Sequence, residues 1–543
     1  MNQSITGIDW AIIAVYCVGL LVMAYWLARR QESREDYYVA GRNVGPWPVG
    51  LSIMATQCST NSILGAPAFV AFAAGGGMLW LQYELAVPLA MIVLILCVMP
   101  LFRHLQLVSV YAYLEQRFHL TTRLTLSGLF LFVRAFATAV TVYSIALVID
   151  LITGLGFAAS VLLLGVFTVV YDVMGGIRGV IYSDVIQLLI LAVMLLVVLL
   201  MLVDASGGFA PMWQSFSDAR KTTLDFAHHG FGDGQTFAFW PMLFGGLFLY
   251  VSYYGCDQSQ VQRQLSTRDI DATNNALLIN GLLRFPLVLL YCLVGVGIAV
   301  YAAQHPQFVA ALPDSGEGPE FNLAVPLYMI HALPVGLVGL SLVALFAAAM
   351  SSLDSVLNSL SATTMEDFVR RFHRGHWTAH KELILSRGIT ALWGGVTLVM
   401  AFFVGDIAPT VLEAINKIGS LANGPILAVF ALGFLTHRVR GDHAIAGLLA
   451  GITGNGICWL FLTEISWLWW NVIGFVLAVL VALLASLIWA RNGAGHRMAR
   501  DSDLYAAAIR HHLWEEAHYN WYRRCLWLLA WFAVLFILLW YLA

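Results

Sequence analysis

Residues 347–359 carry hydroxyl groups at helical spacing inside a long apolar segment. One face of a helix would present the residues at positions i, i+3, i+4, i+7 and i+11. These residues are Ala348, Ser351, Ser352, Ser355 and Ser359. The carboxylate of Asp354 lies in the same segment. Hydroxyl and carboxylate oxygens are the ligands that a hard cation needs when it gives up its water shell. The pattern therefore predicts a cation site within a membrane-spanning helix. The alternative is that small side chains here only allow close helix packing.

Residues 56–62 form a polar interruption within an apolar segment. This interruption is a second possible source of cation ligands. Gly65 and Pro67 follow it, and both weaken a helix. A helix that breaks within a membrane frees backbone carbonyl groups, which is tolerated only where they line a cavity or bind an ion. We therefore expect a broken helix. A kinked helix with polar side chains bonded to its neighbours is the alternative.

A similar interruption ends the apolar run 238–257. Tyrosines are followed by Gly255 and then by polar residues at 257–263. This pattern predicts either a second broken helix with an aromatic gate or a helix that simply ends at the interface with a tyrosine belt. The two interruptions lie five spans apart. Matching interruptions in two halves of a chain indicate a transporter built from inverted repeats.

Arg134 and Asp184 also lie in apolar segments, where an unpaired charge is costly. Arg134 is too deep in its span for the guanidinium to reach the interface easily, so we expect an anionic partner from the protein or from a solute. Its planar fork suits a solute carboxylate, while Glu84 or Asp257 is the alternative partner. Asp184 serves either a cation or a nearby arginine such as Arg178.

The composition is typical of a polytopic membrane protein. Of 543 residues, 60% are hydrophobic and 11% are charged, and the mean hydropathy is +0.80, a balance that excludes an ordinary soluble domain. The net charge of −3 gives no indication of nucleic-acid binding. The seven cysteines contain no CxxC pair, so neither a disulfide framework nor a metal knuckle is predicted. The absence of a GxxxxGK[ST] motif argues against an ATP-driven pump, and no enzymatic nucleophile–base set is recognisable.

Runs of about 20 apolar residues mark about fourteen membrane spans. They cover residues 8–28, 46–73, 80–101, 122–152, 157–175, 180–203, 238–257, 272–303, 334–362, 383–405, 409–435, 442–462, 466–490 and 522–542. Alternate loops contain nearly all the basic residues, and the opposite loops hold only Arg220 and Lys221. Because basic loops remain in the cytoplasm, this asymmetry predicts a multi-pass protein of the plasma membrane, or of the inner membrane in a bacterium, with both termini outside.

Four motifs resemble those of the sodium/solute symporter family, which includes sodium-coupled carriers of sugars, sialic acid, proline, iodide, monocarboxylates and vitamins. They are SSLDSVLNS at 351–359, DVIQ at 184–187, DQSQVQR at 257–263 and GSLANGP at 419–425. The resemblance covers about residues 8–490. It implies an all-α polytopic membrane protein with a five-plus-five inverted repeat like that of the leucine transporter.

The same resemblance implies a domain organisation. A transport domain would cover residues 1–490, with inverted repeats at about 46–203 and 238–435. Residues 491–543 would form a cytoplasmic linker and an extra C-terminal transmembrane helix, which occurs in only part of the family.

The family's sodium site, carried over residue by residue, would use the backbone carbonyls of Ala55, Cys58 and Ala348 with the hydroxyls of Ser351 and Ser352. A further sodium site of some members resembles a cluster of Asp184, Ser351 and Ser355. Asp354 stands where such members have a serine, so an extra sodium or proton site is left open.

The family's solute positions correspond to residues in six spans. They are Gln57, Ser59, Ser62, Gln82, Glu84, Arg134, Asp257, Arg284 and Asn416, with Tyr253 as the inner aromatic gate. Arg134 resembles the arginine that holds a carboxylate in sialic acid carriers. Asp257, in place of a common asparagine, and Lys417, beside Asn416, are departures that argue against a sugar.

The resemblance thus predicts a secondary active symporter in which sodium drives the import of a small organic solute by alternating access. A carboxylate such as a sialic acid or a monocarboxylate is the expected solute. The alternatives are a sugar or polyol symporter and a proton-coupled carrier in which Asp184 or Asp354 is protonated. The expected partners are sodium, the solute and the lipid bilayer; the oligomeric state is left open, and no enzyme activity is predicted.

Overall fold

The computed structural model describes residues 6–58, 60–314, 318–404, 411–436, 438–489 and 521–542, with the backbone alone at 60, 61, 411–418 and 489. This part of the chain consists of helices and loops without a β-sheet, which confirms the all-α prediction. The longer helices, numbered in chain order, are α1 (Gly7–Ala28), α2 (Pro46–Gln57), α3 (Thr60–Ala71), α4 (Trp80–His104), α5 (Leu120–Thr153), α6 (Phe157–Ala205), α7 (Gly246–Cys256), α8 (Gln258–Leu265), α9 (Ile270–Gln304), α10 (Leu337–Thr363), α11 (Ala379–Val404), α12 (Val411–Leu435), α13 (Gly441–Phe461), α14 (Trp470–Trp489) and α15 (Trp521–Leu542).

Within the described ranges, ten helices are long and apolar enough to cross a membrane, and three shorter apolar helices accompany them. The predicted count of about fourteen spans stays a prediction, because helices and spans do not correspond one to one. Helix α6 combines two predicted spans in 49 residues and bends between them at Gly176, whose φ is 55° and ψ is −165°. A straight helix of that length would measure about 74 Å, more than twice the thickness of the hydrocarbon layer.

Both predicted helix breaks are confirmed. Helix α2 ends before Cys58, whose φ of −80° and ψ of 61° leave the helical region, and α3 resumes at Thr60. Helix α7 ends before Asp257, which is extended with φ −90° and ψ 125°, and α8 follows directly. The second break is therefore not a helix that merely ends at an interface. The Asp257 carboxylate caps α8 by accepting the backbone N–H of Ser259 at 2.8 Å.

Loops that the sequence predicts to lie on one side of the membrane meet at one end of the bundle. Arg34 donates to Glu382 at 3.1 Å, and both Arg123 and Arg371 bind Glu115, at 2.8 and 2.9 Å. Burial alone would raise the pKa of Glu115, but the two arginines hold it below its ordinary value. These ion pairs join the loop after α1 to the first turn of α11, and the loop before α5 to the loop after α10.

The last helix, α15, lies against α9 and α4. Near one end, Nε of Arg524 donates to Oδ1 of Asn275 at 2.7 Å. Near the other end, the backbone carbonyl of Leu539 accepts the hydroxyl of Thr223 at 2.6 Å. A helix therefore occurs where the sequence predicts the extra C-terminal span, while residues 491–520 of the predicted linker lie outside the described residues.

Glycines allow the backbones of α13 and α14 to approach closely. A Cβ atom on Gly447 would lie 2.4 Å from the carbonyl oxygen of Ala478, and one on Gly451 would lie 2.6 Å from that of Gly474. Small residues at such crossings are what hold membrane helices together, because lipid tails compete equally for larger apolar side chains.

We expect Gly447→Ala to lower the apparent unfolding temperature of the detergent-solubilised protein, with a cost of about 1–3 kcal/mol, because the new methyl group meets backbone that cannot rotate away. Gly456→Ala in the same helix is the matched control, since nothing lies within 4 Å of its Cβ position. Equal unfolding temperatures for the two variants in a thermal scan would contradict the close contact.

Candidate functional site

The predicted sodium ligands lie where the break after α2 meets the hydroxyl face of α10. Ala55, Cys58 and Ala348 are buried within one cluster. The hydroxyls of Ser351 and Ser352 donate to the Ala348 carbonyl at 3.1 and 3.4 Å. Because α2 ends just before Cys58, its last carbonyl groups lose their intrahelical donors. Oxygen atoms from both helices are thus available together, and their role as sodium ligands stays a prediction.

One turn further along α10, hydroxyl groups connect it to α2. The hydroxyls of Thr56 and Ser355 lie 3.1 Å apart, and Ser355 also donates to the Asp354 carboxylate at 3.2 Å. This bond fixes the rotation of the α10 hydroxyl face relative to the end of α2.

A buried arginine lies among the residues predicted for the further sodium site. Nε of Arg263 donates to the Ser52 hydroxyl at 2.8 Å, and its Nη2 lies 3.4 Å from Oδ2 of Asp184. The same Nη2 also donates to the Ser355 hydroxyl. The Ser52 hydroxyl in turn donates to Asp184 at 2.6 Å. A guanidinium that is fully buried therefore supplies positive charge beside Asp184, and whether sodium also binds there stays a prediction.

Sequence reasoning missed the position of Arg263. The residue belongs to the 257–263 motif and looks like one more basic residue of a loop. Its guanidinium binds the backbone carbonyl of Ser259 one helical turn earlier, a contact that no sequence pattern indicates. That it points into the bundle depends on Asp184 and Ser355, which lie on other helices.

Two more carboxylates are buried near this arginine. Asp354 is contacted by the hydroxyls of Ser355 and Ser183, at 3.2 and 3.5 Å. Neither carboxylate oxygen of Asp172 has a hydrogen-bond partner among the described residues, although Asn358 lies beside it. A proton or a bound cation is the usual compensation for such groups. In the same residues, no group of three or more His, Cys, Asp or Glu side chains is arranged to hold a metal ion.

A cavity of about 210 Å³ lies between α2, α5, α7, α8 and α12. Four of its lining residues are predicted solute residues: Gln57, Arg134, Tyr253 and Asp257. Sequence reasoning did not single out other lining residues, which include Tyr111, Phe130, Ser252 and Asn423. The GSLANGP motif was the available signal for Asn423, while the other positions have no distinctive sequence pattern.

Arg134 and Asp257 form an ion pair in this cavity. Nε of Arg134 lies 2.6 Å from Oδ2 of Asp257, and Nη2 binds the same oxygen. The guanidinium carbon lies 5.1 Å from the ring centre of Tyr253. Oδ1 of Asp257 is occupied separately by the backbone N–H and the hydroxyl of Ser259, at 2.8 and 2.5 Å. Of the two protein partners that the sequence left open for Arg134, the structure selects Asp257.

Three other predicted solute residues do not line the cavity. Glu84 and Arg284 pair with each other at 2.8 Å, and Nη1 of Arg284 lies 3.8 Å from Sγ of Cys58. The amide of Gln82 donates to the backbone carbonyl of Phe237 at 2.9 Å and so anchors the loop before α7. Their involvement in solute binding stays a prediction.

The remaining predicted solute residues are Ser62, Ser59 and Asn416. The Ser62 hydroxyl donates to the backbone carbonyl of Gln57 at 3.4 Å, next to the break after α2. Ser59 and the side chain of Asn416 lie outside the described residues.

Comparison with known proteins decides the family. The profile of the sodium:solute symporter family matches residues 37–451. The chain belongs to this family. The symporter is 30% identical to the sodium/sialic acid symporter NanT of Aliivibrio fischeri over 498 residues, covering 90% of this chain and 95% of NanT. It is also 30% identical to the sodium-dependent multivitamin transporter of Oryctolagus cuniculus over 466 residues, covering 83% of this chain and 70% of the relative.

A solved structure supports the fold of the symporter independently. A sodium-coupled sialic acid symporter in a substrate-bound outward-open state superposes with a TM-score of 0.79 at 24% identity, covering 89% of this chain and 98% of that one. The prediction of a sodium-coupled solute symporter with many membrane-spanning helices is confirmed.

The contact between Asp184 and Arg263 generates a test by double substitution. Asp184→Asn leaves a buried guanidinium without its counterion, a change that costs about 3–5 kcal/mol. We expect Asp184→Asn and Arg263→Gln each to lower the apparent unfolding temperature, and the double variant to lose less than the sum, because neither charge is then unpaired.

The exposed pair Arg268 and Asp269, 3.2 Å apart, is the matched control. Its variants Arg268→Gln and Asp269→Asn should show no coupling, since exposed ion pairs contribute little. Additive losses for both pairs would show that Arg263 does not neutralise Asp184.

Proposed function

We propose that this symporter imports a small organic solute that carries a carboxylate, using the sodium gradient. The observation that carries the proposal is the guanidinium of Arg134 in the wall of the cavity. Nη1 of Arg134 has no hydrogen-bond partner among the described side chains, so it is available to a solute oxygen. The names of relatives agree with this chemistry: NanT is a sodium/sialic acid symporter, and sialic acids carry a carboxylate.

Sodium would bind to the carbonyls of Ala55, Cys58 and Ala348 and to the hydroxyls of Ser351 and Ser352. Ligands from the break and from α10 would then hold α2 against α10. Because Gln57 in α2 lines the cavity, this contact would organise the solute site before the solute arrives.

Alternating access would follow from the inverted repeats, at about 46–203 and 238–435 within a transport domain of residues 1–490. The two broken helices supply cavity residues from equivalent positions of the two repeats. Rocking of one group of helices against the other would open the cavity to alternate sides. The ion pairs among the basic loops support a common side for these loops, and their excess of basic residues supports the cytoplasm as that side, with both termini outside.

A neutral sugar or polyol is the second candidate solute, because the pair between Arg134 and Asp257 leaves the cavity without net charge from these residues. Membership of the sodium:solute symporter family supports sodium, not a proton, as the coupling ion. Dependence of uptake on sodium at fixed pH tests this choice.

Removal of either serine hydroxyl should raise the sodium concentration for half-maximal transport. Each hydroxyl is one of about five ligands of a desolvated cation, so we expect an increase of about tenfold for Ser351→Ala and for Ser352→Ala. Ser341→Ala, in the same helix but bonded to the Val338 carbonyl at 2.7 Å, is the control. Sodium titration of uptake into proteoliposomes measures the effect, and unchanged values in both variants would remove these serines from the site.

Substitution of Arg134 tests the carboxylate. Arg134→Lys keeps the charge but loses the planar fork, so we expect weaker transport of carboxylates and little change for neutral analogues. Arg134→Ala should abolish carboxylate transport. The measurement is uptake of a panel of carboxylates, sugars, amino acids and polyols with and without a sodium gradient. Unchanged carboxylate affinity in Arg134→Ala would refute carboxylate binding by Arg134. It would not contradict the predicted sodium site.

A further inference from the structure

The cavity contains both members of an ion pair rather than a single free cation. The side chains of Arg134 and Asp257 are 24% and 12% exposed, so both charges are largely withdrawn from water. We propose that Asp257 determines the class of solute: a small zwitterion whose carboxylate binds Arg134 and whose cationic nitrogen binds Asp257. This inference rests on the proposed function, since it refines the occupant of the same cavity.

Asp257 is held in place and cannot move aside when a solute enters. Its Oδ1 accepts two hydrogen bonds from Ser259, one from the backbone and one from the hydroxyl, at the N-terminus of α8. Rotation of the carboxylate away from Arg134 would break this cap and leave the first turn of α8 without its acceptor. The negative charge therefore remains in the cavity when the solute binds.

A solute with a carboxylate alone meets an unfavourable arrangement. Nε and Nη2 of Arg134 already bind Oδ2 of Asp257, so one of the two guanidinium edges that can bind a carboxylate at two points is occupied, and only the edge formed by Nη1 and Nη2 remains. An incoming monoanion would have to share one arginine with a fixed carboxylate. Two negative charges at such short range repel each other strongly in a site of low dielectric constant.

A zwitterion avoids this repulsion. Its carboxylate reaches the remaining Nη1 of Arg134, while its cationic nitrogen approaches Oδ2 of Asp257, and the net charge of the cavity does not change. Aromatic lining residues such as Tyr111 and Phe130 suit an ammonium group with apolar substituents. The cavity of about 210 Å³ favours a compact solute, because pockets for drug-sized ligands measure roughly 300–1,000 Å³.

The test compares solutes that differ only in the cationic nitrogen. Glycine betaine is compared with 3,3-dimethylbutanoate, in which carbon replaces the quaternary nitrogen, and leucine with 4-methylpentanoate. Sodium-dependent uptake of each radiolabelled solute into proteoliposomes of the full-length protein is measured, because a monoanion that moves with one sodium ion carries no net charge. We expect the zwitterion of at least one pair to reach half-maximal uptake at a concentration about tenfold or more below that of its monoanionic counterpart.

The variant Asp257→Asn retains a residue that caps a helix well but removes the negative charge. It should weaken transport of the zwitterion and improve that of the monoanion, so that the preference falls to about one. Asp269→Asn makes the same chemical change at the N-cap of α9, outside the cavity, and should retain the wild-type preference. The unfolding temperature of each variant shows that the fold is retained.

Three results would overturn the inference. They are a monoanion preferred by the wild-type protein, a preference that Asp257→Asn leaves unchanged, and no sodium-dependent uptake of either zwitterion. The proposed function would still hold after any of these results if another carboxylate showed sodium-dependent uptake and Arg134→Ala abolished that uptake. Conversely, loss of sodium dependence for every solute would refute the proposed function itself.

Discussion

The contact of Arg263 with Asp184 is the interaction on which the arrangement of the central helices depends. A fully buried guanidinium is tolerated only when its donors are satisfied and its charge is balanced. Arg263 meets these conditions with groups from α2, α6, α8 and α10, namely Ser52, Asp184, Ser259 and Ser355. Helix α8, which follows the second break, is thereby connected to α2, which precedes the first break.

The same requirement explains the charges nearer to the solute. Asp257 neutralises Arg134 in the cavity, and Glu84 neutralises Arg284 behind the break after α2. Each pair joins helices that are distant in sequence. Because an ion pair deprived of one partner in this environment is costly, such pairs restrict which solutes and which movements the bundle tolerates. A charged solute must either replace one member of a pair or match both.

The two helix breaks combine with these pairs to couple ion and solute. The break after α2 presents carbonyl groups to the α10 hydroxyls, and Gln57, at the end of α2, lines the cavity. The break before α8 places Asp257 in the cavity and directs α8, with Arg263, toward Asp184. The predicted ion site and the cavity therefore share structural elements, which is the physical condition for an ion to influence solute affinity.

The amino-acid sequence alone determined the class of fold, the existence of the spans and the positions of both breaks. These features are local: hydropathy over about 20 residues defines a span, and polar residues with glycine or proline interrupt it at residues 56–62 and 255–257. The oxygen-rich face of α10 was likewise readable from helical spacing, and the grouping of the basic loops followed from their alternation. Motif resemblance supplied the family, which comparison with known proteins confirmed.

The tertiary structure decided which partner each buried charge has. Arg134 and Asp257 are 123 residues apart, and Arg263 and Asp184 are 79 residues apart, so no local pattern relates them. The family resemblance predicts Gln82 as a solute residue, and only the structure shows that its amide donates to a loop 155 residues away. Periodicity shows which face of a helix is polar, but the group that meets that face belongs to another helix, and only packing of the whole bundle brings the two together.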